Sequence, residues 1–184
     1  MKRKKYKVLC QRVDTAEVIA PDDLISRYLP GDYHDTYEFC TPEVKGLSAM
    51  ALLRTMWAAP PKAVSVLLTL RDQLVKPFGL QDSKLRTEPQ WLADAAQQSR
   101  KTLEEASEEV LLCRDDRHLA FQVALKVSQK ERMPTRVLAT TAVQFHNRLG
   151  WLYFQAIRLM HGQVVCLTLK HSIGALLAKQ EENG

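Results

Sequence analysis

The stretch that decides the fold is Thr135–Leu169, TRVLATTAVQFHNRLGWLYFQAIRLMHGQVVCLTL. Its first part alternates, with Val137, Ala139, Thr141, Val143 and Phe145 on one side of an extended chain, the period of a half-buried β-strand. The strand runs without a loop into His146-Asn147-Arg148-Leu149-Gly150, where a long helical pattern begins. Asn147 is a favourable N-cap residue. Leu149, Leu152, Tyr153, Ile157, Met160, Val164 and Leu167 fall on one helical stripe. Trp151, Phe154 and Val165 make much of the other side apolar as well. Continued to about residue 171, the helix is roughly 36 Å long at ~1.5 Å per residue. A helix this apolar needs a curved sheet around it, a partner, or both.

The preceding residues supply such a sheet. Glu109–Arg114 and Arg117–Val127 read as two strands around a tight turn at Asp115-Asp116. A two-residue loop would pair Leu112 with Leu119 and Val110 with Phe121, apolar against apolar. Leu119, Phe121, Val123, Leu125 and Val127 form the face expected against the helix. A second hairpin near 129–134 returns as 135–146 and sets His118 opposite His146 or one pair away, on the face turned from the apolar stripe. Upstream, Asp32–Cys40 alternates with Tyr33, Tyr37 and Phe39 on one side, Asp35 being the exception. Weaker signals mark a strand around Tyr6–Val13, a short helix from Pro21-Asp22-Asp23 to Tyr28 that Pro30-Gly31 breaks, and helices over 48–58 and from Pro60-Pro61 to about Val75. Residues 81–100 are polar and ambiguous, with 91–98 a possible helical piece. The reading is an α+β protein in which an antiparallel sheet wraps a long C-terminal helix. Residues 1–20 form an N-terminal extension with a basic tail, and 21–184 a single domain.

At 184 residues, 46% hydrophobic and 26% charged, the chain suits one domain with a sizeable core. Lys2, Arg3, Lys4 and Lys5 supply four of the formal +5 charges. The remainder is nearly balanced and lacks aromatic–basic interleaving, which argues against nucleic-acid binding. No secretory signal is visible. Cys10, Cys40, Cys113 and Cys166 have no metal-knuckle spacing and read as four reduced thiols of a cytoplasmic protein, with Cys113 and Cys166 in apolar surroundings. The segment 149–169 has the length of a membrane span, but Gln155, Arg158, His161 and Gln163 interrupt it. It reads as a buried helix, and no transmembrane segment is expected.

Three further blocks stand out. Arg71–Leu80 reads RDQLVKPFGL, Asp115–Phe121 reads DDRHLAF, and Phe145–Tyr153 reads FHNRLGWLY. In this order they resemble the blocks "RDxLVxPFGL", "DDRHLxF" and "FHNRLGxLY" of the family called domain of unknown function 2867, and the likeness covers about residues 28–170. The resemblance implies a START-like (SRPBCC) helix-grip fold, in which such a sheet often leaves an apolar cavity beneath the helix. Where that family tends to read PFH late in the last helix, this chain has Leu159-Met160-His161, keeping the histidine without the proline. No glycine fingerprint for a dinucleotide precedes the domain, so a stand-alone copy without cofactor is expected.

The candidate site residues follow from this frame. Arg117, His118, His146 and Asn147 would lie together at a strand end, as an anion site, an acid–base pair, half a metal site, or simply a hydrogen-bonded corner using Asp115 or Asp116. His161 lies about four helical turns from His146, roughly 20 Å away, so one compact three-histidine metal site is not expected. Tyr37, Phe39, Phe121, Phe145, Trp151, Tyr153 and Met160, with His161, are the candidate lining of a cavity or simply core. Arg71-Asp72 reads as an ion pair, and Glu104, Glu105, Glu108 and Glu109 as a solvated acidic turn. The preferred expectation is a non-catalytic module binding a small apolar or amphipathic ligand, with Arg117, His118 and His146 near a polar mouth. The alternatives are a cyclase, hydratase or isomerase using His118 and His146, and a homodimeric interaction domain.

Overall fold

A computed structural model describes residues 9–41, 47–58, 61–62, 101–115, 117–129 and 134–182. The expected helix from residue 60 to 75, apart from residues 61–62, the 81–100 segment and Arg71-Asp72 lie outside these residues. The expectation for the sheet holds. Six strands form one antiparallel sheet in the order β1-β2-β6-β5-β4-β3. They are β1 (Leu9–Val13), β2 (Tyr33–Thr41), β3 (Lys101–Glu105), β4 (Glu109–Asp115), β5 (Leu119–Ser128) and β6 (Thr135–Phe145). The helices are α1 (Thr15–Val18), a 3-10 turn (Leu24–Tyr28), α2 (Ala49–Ala58) and α3 (Arg148–Glu182). The result is the α+β, helix-grip arrangement of an antiparallel sheet with a long C-terminal helix.

The period-2 pattern of β5 and β6 does what alternation dictates. Leu125, Val127, Val137 and Ala139 face α3 and α2, forming the main core with Phe39, Leu52, Leu53, Leu169 and Ile173. Farther along the same face, Leu119 and Val143 pack on Phe154 of α3, with Phe121 and Phe145 beside them. The β4–β5 register differs from the expected one. Leu112 pairs with Val123 and Val110 with Leu125, the last pair being Asp115 with Ala120. The connection is therefore longer than two residues, and it is drawn out toward the start of α3, where the His118 carbonyl accepts a hydrogen bond from the His146 amide at 3.0 Å. The slip moves each partner by an even number, so the same side chains still face the helix.

The opposite face of the sheet is covered too, which the alternation did not anticipate. Leu111, Ala124 and Ala142 receive Ile25, with Ile19, Leu24, Tyr28 and Leu29 around it. Small residues on that face leave room for the N-terminal segment to lie flat. Polar anchors fix it: Lys126 Nζ donates to Asp23 at 2.5 Å, and Leu24 N donates to Glu109 Oε2 at 2.7 Å. Glu109 is thus buried (5% exposed) rather than part of a solvated acidic turn, and Glu104 pairs with Arg27. Burial pushes the Glu109 carboxyl above its ordinary range, against the pull of the Leu24 amide.

Two expectations are corrected. The thiols are not all free, because Cys10 of β1 and Cys166 of α3 form a disulfide with Cα atoms 5.9 Å apart. Cys40 and Cys113 are free. Pairing of cysteines 156 residues apart cannot be read from spacing, and disulfides persist chiefly in oxidising compartments, so a cytoplasmic location loses its support. Among the described residues no helix is long and apolar enough to cross a membrane. The second correction is the rotation of α3. The inward face carries Gly150, Phe154, Leu169 and Ile173, whereas Leu149 (43%), Leu152 (47%) and Leu167 (40%) of the expected stripe are exposed. The helix is apolar on several sides, so its periodicity could not choose a face. Packing at Gly150 chooses it.

Candidate functional site

The strand-to-helix corner gathers four of the expected site residues. Asn147 caps α3, its Oδ1 accepting from Gly150 N at 3.0 Å. Its Nδ2 donates to the Arg117 carbonyl at 3.3 Å and to His118 Nδ1 at 3.1 Å. His146 Nε2 lies 2.7 Å from Asp115 Oδ1. A Cβ placed on Gly150 would stand 2.0 Å from the His118 carbonyl oxygen, so glycine alone permits this close approach. Asp32 completes the corner by accepting from Phe145 N at 2.6 Å. Among the described residues of the DDRHL and FHNRLG blocks, Asp115, His118, His146, Asn147 and Gly150 join strand to helix, while Arg148 and Leu149 are exposed. His118 and His146 lie just outside β5 and β6, at the start of α3, and their observed contacts are with Asn147 and Asp115.

A different polar group lies under the helix. Asp35 of β2 is 1% exposed and pairs across the sheet with Thr141 of β6. Its Oδ2 accepts from the Tyr33 hydroxyl at 2.7 Å. Its Oδ1 has no hydrogen-bond partner, and His161 Nε2 on α3 lies 3.4 Å away. The same Nε2 lies 3.2 Å from Thr141 Oγ1. Tyr37 meets the His161 ring edge-on at 6.5 Å between centroids. Gly162 makes room for it, since a Cβ there would fall 2.3 Å from the Tyr37 hydroxyl. The Arg158 guanidinium covers the Tyr33 ring at 5.8 Å, and Arg12 of β1 stands opposite Tyr37.

The electrostatics follow from burial and neighbours. Burial by itself would raise the Asp35 carboxyl, but His161, the Tyr33 hydroxyl and the Arg12 charge together outweigh it and hold the group below its ordinary range. Burial, and then the Asp35 carboxylate, push both tyrosines up. Asp35 is therefore an ionised carboxylate inside the protein with one oxygen short of a donor, a condition that costs about 1–3 kcal/mol or more.

The remaining expected residues divide. Phe39 is fully buried in the main core, and Tyr37 packs against it. Phe121, Phe145 and Tyr153 are half-buried around Phe154. Met160 and His161 are half-buried, while Trp151 is 51% exposed, outside this lining. Arg117 is exposed. Asp35, Tyr33 and Thr141 were not among the expected site residues, although Asp35 was visible as the misfit in the β2 alternation. Among the described residues no group of three His, Cys, Asp or Glu is placed to hold a metal ion.

Fold and site together define an α+β protein of helix-grip form with a buried Asp–His–Tyr group between sheet and helix. A family model described as "Protein of unknown function (DUF2867)" matches residues 30–167, and the chain belongs to that family. No curated protein and no solved structure matches it.

Proposed function

We propose that the protein binds a small amphipathic molecule in the seam between the inner face of the sheet and α3. The supporting observation is the buried Asp35 carboxylate, whose Oδ1 makes no hydrogen bond and faces His161 Nε2 at 3.4 Å. Apolar clusters lie on either side of it, around Phe154 at one end and around Phe39 and Leu169 at the other. A seam that served only as core would gain nothing from an ionised group in that row. A ligand with an apolar body and a polar end would use both. The helix-grip arrangement supports the same reading, since a sheet curved around a helix offers a concave surface of the kind that holds ligands. The polar end belongs at Asp35 and His161 rather than at Arg117, His118 and His146. Catalysis by His118 and His146 gains no support, because both side chains are engaged by Asn147 and Asp115 at the strand-to-helix corner.

Saturable fluorescence enhancement of the neutral dye Nile red tests the proposal, together with native mass spectrometry of gently purified protein. The expected result is one dye site, weakened when Phe121→Trp fills the inner face, or a co-purified small molecule. A bare mass combined with no saturable dye binding removes the proposal.

A further inference from the structure

We infer that His161 and Asp35 form a carboxylate–imidazole pair that takes the proton of an acidic hydroxyl, a phenol or an enol, on a ligand bound in the seam. This rests on the binding proposal above and adds the chemical class of the ligand's polar end.

The argument begins with the two ring nitrogens of His161. Nε2 is the atom turned to the sheet, 3.4 Å from Asp35 Oδ1 and 3.2 Å from Thr141 Oγ1. A neutral imidazole carries one N–H; placed on Nε2 it is accepted by Thr141 Oγ1 and faces, without bonding to it, a carboxylate that can only accept. The other nitrogen, Nδ1, then presents a bare lone pair, and it has no hydrogen-bond partner among the described residues. The His161 side chain is 17% exposed, while the Asp35 side chain is fully buried. The carboxylate is thus sealed behind the imidazole, and the imidazole is what a ligand can reach. A buried carboxylate fixing one tautomer and supporting the charge that forms on the ring is the arrangement by which a histidine becomes an effective base.

The step balances without a co-reactant. The ligand O–H bond breaks, an N–H bond forms at Nδ1, and the O–H electron pair stays on the ligand oxygen. The imidazolium is then paired with Asp35, and the ligand anion lies beside the imidazolium. The charged and titratable groups around the pair suit this outcome. Arg12 from β1 and Arg158 from α3 are cationic, Tyr33 and Tyr37 from β2 are held protonated, and Thr141 from β6 supplies a neutral hydroxyl. An anionic ligand oxygen meets cations and donors there, with the one carboxylate shielded behind the ring.

The test compares 4-nitrophenol with 4-nitroanisole, which has the same aromatic body and no acidic proton. Binding is followed by Nile red displacement and by the yellow nitrophenolate absorption, at a pH well below the solution pKa of the phenol. The expected result is that nitrophenol binds about tenfold or more tightly than nitroanisole and binds as nitrophenolate, a margin typical of one charge-assisted hydrogen bond. His161→Gln should abolish the bound nitrophenolate signal while nitroanisole binding persists, and Asp35→Asn should weaken it. Equal binding of both probes with the phenol still protonated overturns this inference and leaves the binding proposal standing. A nitrophenolate signal that survives His161→Gln overturns the assignment to the pair. Failure of both probes and of Nile red to bind overturns the binding proposal and this inference with it. The wild-type comparison alone is decisive should Asp35→Asn fail to fold.

Discussion

Removing the Cys10–Cys166 bridge should cost more than any other single change to this fold. Cys10 sits in the edge strand β1, which among the described residues is paired to the sheet through β2 alone, and Cys166 lies in the middle of α3. The two are 156 residues apart, so the bond closes nearly the whole chain into one loop. In the chain-entropy treatment a loop of that size restricts the unfolded ensemble by about 17 cal/mol/K, or about 5 kcal/mol at 25 °C. Natural domains are stable by about 5–15 kcal/mol, so the bridge supplies a third or more of the total. The assay is urea denaturation of oxidised wild type, wild type with dithiothreitol, and Cys10→Ser/Cys166→Ser, with Cys40→Ser as control. At a slope of about 2 kcal/mol/M the midpoint should fall by about 2.5 M in the second and third samples and stay fixed in the control. Thiol titration of the unreduced protein should find two free sulfhydryls. Four free sulfhydryls, or midpoints that coincide with and without reductant, would refute the reasoning.

Four further outcomes are expected. Gly150→Ala should destabilise by about 1–3 kcal/mol, because its Cβ meets backbone that cannot yield. Gly174→Ala, with nothing within 4 Å of the new methyl, should stabilise by about 1 kcal/mol in the same thermal scans. Asn147→Ala should lose about 1 kcal/mol through the vacant cap, visible as a lowered denaturation midpoint. The depressed Asp35 pKa fixes the sign of an acid effect. Its contribution is complete above the unfolded carboxylate pKa and disappears as pH falls through the lower folded value, so Asp35→Asn should flatten that part of the stability–pH curve. An unchanged acid limb in the variant would contradict the ionised assignment.

Much of the architecture was legible because β-strand parity is a strong constraint. Val137 to Phe145 and Leu119 to Val127 could face a helix in only one way, and the β5–β6 register followed from it. The corner was legible for the same reason, with Asn147 announcing the helix start. The β4–β5 register was not, since a loop lengthened by an even number preserves every apolar pairing. The rotation of α3 was hidden by Leu149, Leu152, Leu159 and Leu167, which make its outer side as greasy as its inner one. That rotation decides what His161 faces. Asp35 and His161 could therefore be noticed singly in the sequence, one as a misfit and one as an isolated histidine, but their meeting depends on the helix angle. The N-terminal cover on the back of the sheet was missed because its residues carry no long period, only a few anchors such as Asp23 and Ile25.

The tight joint between β6 and α3 has a consequence for kinship. Its motif letters record how one strand is soldered to one rod: a carbonyl pressed on Gly150, an amide capped by Asn147, a carboxylate clasping His146. Two chains can carry identical solder and differ along the rest of the rod, where Asp35 and His161 meet in this one. Grouping by those letters sorts proteins by joinery, and sorting them by chemistry requires asking what stands at positions 35 and 161.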